Sequence, residues 1–347
     1  MKELDGNSLE ELCIVLIGDY PSLAEKEVLY SLDSAGFYYE YIETRGLLLI
    51  LKTYEFVVPY LVWRCAKIRH VSKLIFKGKI EEIKNLEKIN LNIKGSLAVR
   101  IHSYDREYKQ IVRDLERKIG SYFYYKGYKI DLTNPSNLIT GYIKDGLIYL
   151  GIHLASTNRK LLFSRRPSKK PAFHPSSMMP ENARLMVNLA KAPLNELFVD
   201  PFCGVGGILI EAAFISQHCI GIDIDKKMLK GCKINVNYYG LYNVDLIQAD
   251  ALKIPLRRIN SIACDTPYGI ASSLKKREHE KLVYDFLRNL KEYGKLRICI
   301  ATTLENLEPE GFKIILKYPQ KVRESLIRWL YVLELYDRDR FLGYIGE

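Results

Sequence analysis

"VDPFCGVGGILIEAA", residues 199–213, decides how the second half of this chain folds. An apolar run ends in an acid, Asp200, and a short loop with Gly204, Gly206 and Gly207 follows. The next stretch has helical periodicity. Strand, tight loop, helix is the opening of an α/β unit, which binds its ligand at the carboxyl end of the strand. The glycines let the backbone turn sharply and approach a ligand closely. Alone, such a loop fits a dehydrogenase or a plain turn equally well.

The pattern continues on both sides. Helix "ENARLMVNLAK" and strand "NELFVD" lead into it. Strand "CIGIDID", helix "KKMLKGCKINVNYYG", strands "VDLIQAD" and "SIACD", helix "HEKLVYDFLRNLKEYG" and strand "KLRICIATT" follow. The last strands, "GFKIILKYPQKV" and "LIRWLYVLELYD", have no helix between them, so an antiparallel hairpin is expected at the sheet edge. Residues 181–347 are therefore expected to form a Rossmann-like α/β domain with a seven-stranded sheet.

Four features fall at successive strand ends. The first is the glycine loop. The second is Asp223 in "GIDID", 23 residues after Asp200, where a carboxylate can accept both hydroxyls of a ribose. Asp225 suits the cap of the following helix better. The third is Asp250 in "QAD", placed to accept from an adenine amine. The fourth is "CDTPYG", residues 264–269. Together they describe an adenosyl pocket. A carboxylate at Asp200 would repel a pyrophosphate and favour an amino group or a sulfonium, which points to S-adenosylmethionine over NAD.

The remainder of the chain is different. Residues 1–50 hold 3 Lys/Arg against 10 Asp/Glu, residues 51–180 hold 25 against 10, and residues 181–347 hold 24 against 21. A basic block confined to the middle third points to a polyanion. Residues 1–75 alternate as a small α+β layer, and residues 76–155 as a second, rich in Tyr, Lys and Arg. Residues 156–180, "STNRKLLFSRRPSKKPAFHPSSMMP", have six basic side chains and no acid, and their prolines suggest an extended linker along a nucleic-acid backbone. The acidic start "MKELDGNSLEEL" is unlike a leader, and no apolar run approaches the roughly 20 residues of a membrane helix. Seven cysteines without a CxxC pair suit reduced thiols, a cytoplasmic location and no metal site.

In this order and spacing, "VDPFCGVGGILIEAA", "GIDID", "QADA" and "CDTPYG" resemble the class I amino-methyltransferases with a (D/N)PPY-type motif. "IDLTNPSNLITGYIKDGLIYLGIHLA" resembles the end of a THUMP RNA-binding domain. "FSRRPSKKPAFHPSSMMPENARLMVNLA" resembles the linker of the archaeal tRNA (guanine-10) N2-methyltransferases. The resemblance covers residues 76–347, and more loosely the ferredoxin-like N-terminal domain of that family. It implies a cofactor set of Asp200, Gly204, Gly206, Asp223 and Asp250, completed by Phe202 and Ala251, around S-adenosylmethionine. It implies a catalytic set of Asp265, Thr266, Pro267 and Tyr268. Thr266 departs from the family pattern, which usually has proline there.

The chemistry of "DTPYG" agrees with that resemblance. An exocyclic amine is a poor nucleophile, because its lone pair is delocalised into the ring. A carboxylate (Asp265) and a main-chain carbonyl (Thr266) that accept its two protons pull the nitrogen toward tetrahedral geometry. A ring at Tyr268 can stack on the extruded base. Guanine presents two adjacent donors, which a carboxylate matches; adenine presents a donor beside an acceptor, which suits an amide better. The expectation is methylation of the 2-amino group of a guanine in tRNA, at position 10, by a monomer that needs neither metal nor membrane. The rivals are another tRNA position such as guanine 6, ribosomal RNA, adenine in DNA, or an RNA-binding protein without activity.

Overall fold

The computed structural model describes residues 8–335 apart from 19, 84–88, 90, 92, 176, 268–272, 295 and 324–325. It divides into two compact units, with the change at Asn158/Arg159; residues 33–35 group with the second.

The first unit is built on one eight-stranded sheet. Its chain runs β1 (Leu9–Leu16), α1 (Pro21–Ala35), β2 (Tyr39–Arg45), β3 (Leu48–Tyr54), α2 (Val58–Arg64) and β4 (Ile68–Lys79). It continues through β5 (Ser96–Ser103), α3 (Val112–Tyr125), β6 (Lys129–Ile130), β7 (Asn137–Lys144) and β8 (Leu147–Ser156). The strand order is β2-β3-β1-β4-β8-β7-β5-β6. Strand β4 pairs antiparallel with β1 on one side and with β8 on the other. The expected boundary at residue 75 therefore falls inside a strand. Two apolar cores do flank that strand, one around Leu12, Val28 and Leu61, the other around Leu97, Ile119 and Phe123. What joins them is the backbone ladder of β4, whose segment "KIRHVSKL" the sequence pattern offers only as a connection. Of the helix expected over residues 79–89, Lys79 ends β4, residues 80–83 form a single 3-10 turn, and residues 84–88 lie outside the described residues.

The second unit runs α4 (Arg159–Ser164), α5 (Pro180–Leu189), β9 (Leu197–Asp200), α6 (Gly207–Ala213), β10 (His218–Asp223), α7 (Lys226–Tyr238), β11 (Val244–Gln248) and β12 (Ser261–Asp265). It ends with α8 (Ser273–Leu290), β13 (Arg297–Thr302), β14 (Phe312–Arg323) and β15 (Leu326–Leu335). The seven strands order as β11-β10-β9-β12-β13-β15-β14. Strands β9 to β13 are parallel, and β14/β15 form the expected antiparallel hairpin. The chain leaves β9 toward β10 on one side and returns to β12 on the other. Loops at this switch point diverge and open a crevice at the strand carboxyl ends. The core beneath it is formed by Val199, Ile222, Ile262 and Ile298 against α8, whose Val283, Phe286, Leu287 and Leu290 recur at helical spacing and are all buried.

The basic linker is not an extended, solvated segment. It folds into α4 and a 3-10 turn, Pro167–Lys169, and packs on the second unit. Arg165 donates from Nε and Nη2 to the two oxygens of Glu211 (2.7 and 2.9 Å), and Arg184 reaches the same carboxylate at 2.9 Å. The Arg165 guanidinium also lies 4.5 Å from the Phe214 ring centroid. Asn235 grips the Ala172 backbone at both its N–H and its carbonyl, each at 2.9 Å. Arg165 and Lys170 are therefore buried structural cations, and burial holds the Lys170 ammonium below its usual range. Lys160, Arg166 and Lys169 remain exposed.

Glu211 is 1% exposed between two guanidinium groups. Its removal would strand two buried cations, so Glu211→Gln is expected to cost about 3 kcal/mol or more of unfolding free energy. Urea unfolding of the variant measures this; a loss below about 1 kcal/mol, the range of surface pairs, would contradict it.

Candidate active site

Three carboxylates end three adjacent strands: Asp200 on β9, Asp223 on β10 and Asp265 on β12. They converge because β9 lies between β10 and β12. A cavity of about 470 Å³ opens there, the size of a nucleoside-type ligand. Of the expected cofactor set, Asp200, Phe202, Gly204, Asp223, Asp250 and Ala251 line it. Of the expected catalytic set, Asp265 and Pro267 line it. Gly206 and Thr266 are not part of the lining, and Tyr268 lies outside the described residues.

The loop after β9 is tied to β10. Gly204 N–H donates to Asp223 Oδ2 (2.9 Å) and Asp225 N–H to Asp223 Oδ1 (2.8 Å), so backbone dipoles hold that carboxylate in place. Asp225 itself caps α7, accepting from Lys227 N–H at 2.7 Å. Asp250 accepts from Leu252 N–H at 2.9 Å, which turns the chain after β11. Asp200 is buried to 1% exposure and accepts from Phe202 N–H (3.3 Å). Burial first, then the charges of Asp223 and Asp265, push its carboxyl well above the usual carboxylate range. Among the described residues, that carboxyl is short of a countercharge.

Thr266 is pinned to the neighbouring strand. Its N–H and its Oγ1 both donate to the carbonyl of Ala301 on β13, at 3.0 and 3.1 Å. Two hydrogen bonds thus hold the turn that a pyrrolidine ring would stiffen covalently. Behind it, His279 of α8 meets Thr302 Oγ1 at 3.0 Å. Burial lowers the His279 imidazole, partly offset by the Pro267 carbonyl.

Two parts of the site were not expected. His174 in "FHPSS", which could touch a substrate but reads as an incidental linker histidine, forms part of the cavity wall with Ser177 and Met178. Arg328, on β15, reaches Asp265 Oδ2 at 3.1 Å. The available signal for Arg328 was a lone cation at an inward position of the apolar run "LIRWLYVLELYD". The seven thiols are free and buried, and burial pushes Cys13, Cys219 and Cys299 up to about 12. Among the described residues, no group of three or more His, Cys, Asp or Glu could hold a metal ion, and no helix is long and apolar enough to cross a membrane.

Strand order, glycine loop and carboxylate-lined crevice together define a class I S-adenosylmethionine-dependent methyltransferase. Residues 167–311 match the RMKL-like methyltransferase domain family. The fold is similar to that of TrmN from Thermus thermophilus (TM-score 0.54, 20% identity, 95% of this chain and all of that one). It is also similar to a possible methylase from Clostridium difficile (TM-score 0.58, 17% identity, 95% and 99%). The sequence is 33% identical over 343 residues to the tRNA (guanine(10)-N2)-dimethyltransferase of Methanothermobacter thermautotrophicus, covering 93% of this chain and 99% of the relative. It is 31% identical over 264 residues to the enzyme of the same name from Methanocaldococcus jannaschii, covering 72% and 74%. The chain belongs to the archaeal tRNA (guanine-10) N2-dimethyltransferase family.

The residues present fit S-adenosylmethionine. A buried carboxyl lacking a countercharge suits its ammonium, and a carboxylate fixed by backbone amides suits a ribose. The loop also leaves no room for side chains at one glycine. Gly206 has φ +85°, and a Cβ there would meet Cys232 Sγ at 2.8 Å; Gly204 has φ +52° with nothing within 4 Å. Gly204→Ala is expected to cost about 1 to 2 kcal/mol, the ordinary left-handed penalty. Gly206→Ala should cost clearly more, and urea unfolding of the two variants checks that order.

Proposed function

We propose that this chain methylates the exocyclic 2-amino group of guanine 10 in tRNA, giving the N2-methyl and then the N2,N2-dimethyl base. The observation that carries the reading is Asp265: it ends the central strand β12 and lines the same cavity as Asp200, Asp223 and Asp250. The relatives' names supply the base and the position.

S-adenosylmethionine, when bound, supplies an electrophilic methyl group on a sulfonium. Asp200 would face its ammonium, Asp223 its ribose, and Asp250 with Phe202 and Ala251 its adenine. Asp265 Oδ and the Thr266 carbonyl accept the two protons of the guanine amine, which localises the lone pair on nitrogen. As the N–C bond forms, the bond from that methyl to sulfur would break and leave a neutral thioether; positive charge develops on the nitrogen, and the carboxylate stabilises it and takes the released proton. Pro267 and the Thr266 hydrogen bonds keep these acceptors from relaxing away. Tyr268 is assigned the stacking role.

Residues 1–75 are assigned as a ferredoxin-like domain, supported by the βαββαβ order and the β2-β3-β1-β4 arrangement. Residues 76–155 are assigned as a THUMP module that holds tRNA in the cytoplasm. A groove of about 440 Å³ along α3, lined by Arg100, Arg113, Arg117, Tyr124 and Tyr125, offers cations for phosphates and exposed rings for bases.

Labelled methyl transfer to unmodified tRNA transcripts, with position mapping, tests the substrate: N2-methylguanine at position 10 is expected, and label elsewhere or none would overturn it. Asp265→Asn should lower kcat by about 100-fold or more while cofactor binding survives; near-normal turnover would remove Asp265 from the mechanism. The pair Arg113→Gln/Arg117→Gln should raise KM for tRNA with kcat retained. It should also reduce the slope of binding against log salt by about 1 for each phosphate no longer neutralised.

A further inference from the structure

We propose that Arg328 is a positioning residue for methyl transfer: its guanidinium orients the Asp265 carboxylate and keeps it ionised at the mouth of the cavity. This rests on the reading of Asp265 as the acceptor of the amine protons.

The register places it there. Asp265 on β12 pairs with Ala301 on β13, and Ala301 pairs with Leu330 on β15. Paired side chains share a face, and Arg328, two residues from Leu330, shares it too. The arginine therefore reaches past β13 along the carboxyl edge of the sheet to meet Asp265, Nη2 to Oδ2 at 3.1 Å. Both side chains are largely withdrawn from water, 7% and 17% exposed. A guanidinium at an inward position of an apolar strand is costly to desolvate, and replacing such a pair with apolar residues is often neutral or stabilising. Stability alone is a weak reason for a cation there.

The chemistry provides a better one. Asp200 on β9 also lies close to Asp265, with Asp223 on β10 beyond it, and the charges of both acids raise the Asp200 carboxyl. From α8, His279 packs near Pro267, and burial lowers its imidazole. Carboxylates crowded in this way tend to share a proton, and a protonated Asp265 cannot accept one from the amine. Arg328 places a fixed positive charge on the side away from β9. It keeps Asp265 anionic, and it anchors one oxygen, which limits rotation of the carboxylate plane.

The test uses Arg328→Met, Arg328→Lys, Asp265→Asn and the Met/Asn double variant in methyl transfer to tRNA transcripts. Arg328→Met is expected to lower kcat by about 10- to 100-fold, the range for a misplaced catalytic group. KM for tRNA and Kd for S-adenosylhomocysteine should stay within about two-fold. The acid limb of its kcat profile should move to higher pH, because loss of the cation favours the protonated carboxyl. Arg328→Lys should recover part of the rate, and in the Asp265→Asn background Arg328→Met should cost nothing more. Wild-type kcat and pH profile in Arg328→Met would overturn the proposal. So would a variant whose cofactor affinity and unfolding temperature fall together with kcat and which lysine does not rescue, since that is a staple between β12 and β15. A substrate-free measurement separates this from failure of the functional reading. The carbon-13 carboxyl signal of Asp265, assigned by its absence in Asp265→Asn, should titrate at higher pH in Arg328→Met. An unchanged titration overturns the proposal even if no tRNA is methylated by the wild type.

Discussion

Three like charges at the ends of three neighbouring strands are the constraint around which the second unit is arranged. Asp200, Asp223 and Asp265 converge because the chain reverses its winding at β9. Each is met differently. Backbone amides of Gly204 and Asp225 hold Asp223, amides of Phe202 and Leu209 with deep burial hold Asp200, and the guanidinium of Arg328 meets Asp265. The result is a graded crevice. At one end is a carboxylate fixed by dipoles; in the middle is a carboxyl with no cation paired to it among the described residues; at the other end is a carboxylate that has one. Such differences in environment allow chemically identical groups to take different roles.

The rest of the unit supports that crevice from below and behind. The α8 stripe from Val283 to Leu290 packs in one core with Ile262 of β12 and Ile298 of β13. Thr266 links the turn after β12 to β13 through a single carbonyl, Ala301. Further out, Glu211 ties the linker to α5 and α6 with two arginines, and Asn235 clamps it at Ala172. This anchoring brings His174 and Met178 to the cavity wall. A segment whose composition suggests a solvated tether is instead part of the pocket's architecture, because two of its six cations are taken up in buried interactions.

Much of this was legible in one dimension. Parallel α/β units announce themselves by strand, loop and helix periodicity, so β9 to β13, the edge hairpin, the glycine loop and the Asp200, Asp223, Asp250 and Asp265 positions could be read directly. The division of roles between Asp223 and the capping Asp225 was also local, because a cap is defined by its own next two residues. Strand β4 was not legible. It is a central strand, and its register shifts near Val71 and Leu74 break the two-residue alternation that would mark it. For the same reason the expected boundary at residue 75 lies inside this strand.

The sequence by itself determined the alternation of strands and helices, the acids at the strand ends and the types of group that could handle an amine. Those are properties of short windows, set by propensity, periodicity and the demands of a tight turn. Only the tertiary structure decided which acids share a cavity, that Thr266 anchors on β13, that the basic linker packs on Glu211, and that Arg328 faces Asp265. The last three of those contacts join residues 35, 46 and 63 positions apart: Thr266 with Ala301, Arg165 with Glu211 and Asp265 with Arg328. Their pairing follows from strand order and burial, which no local pattern encodes.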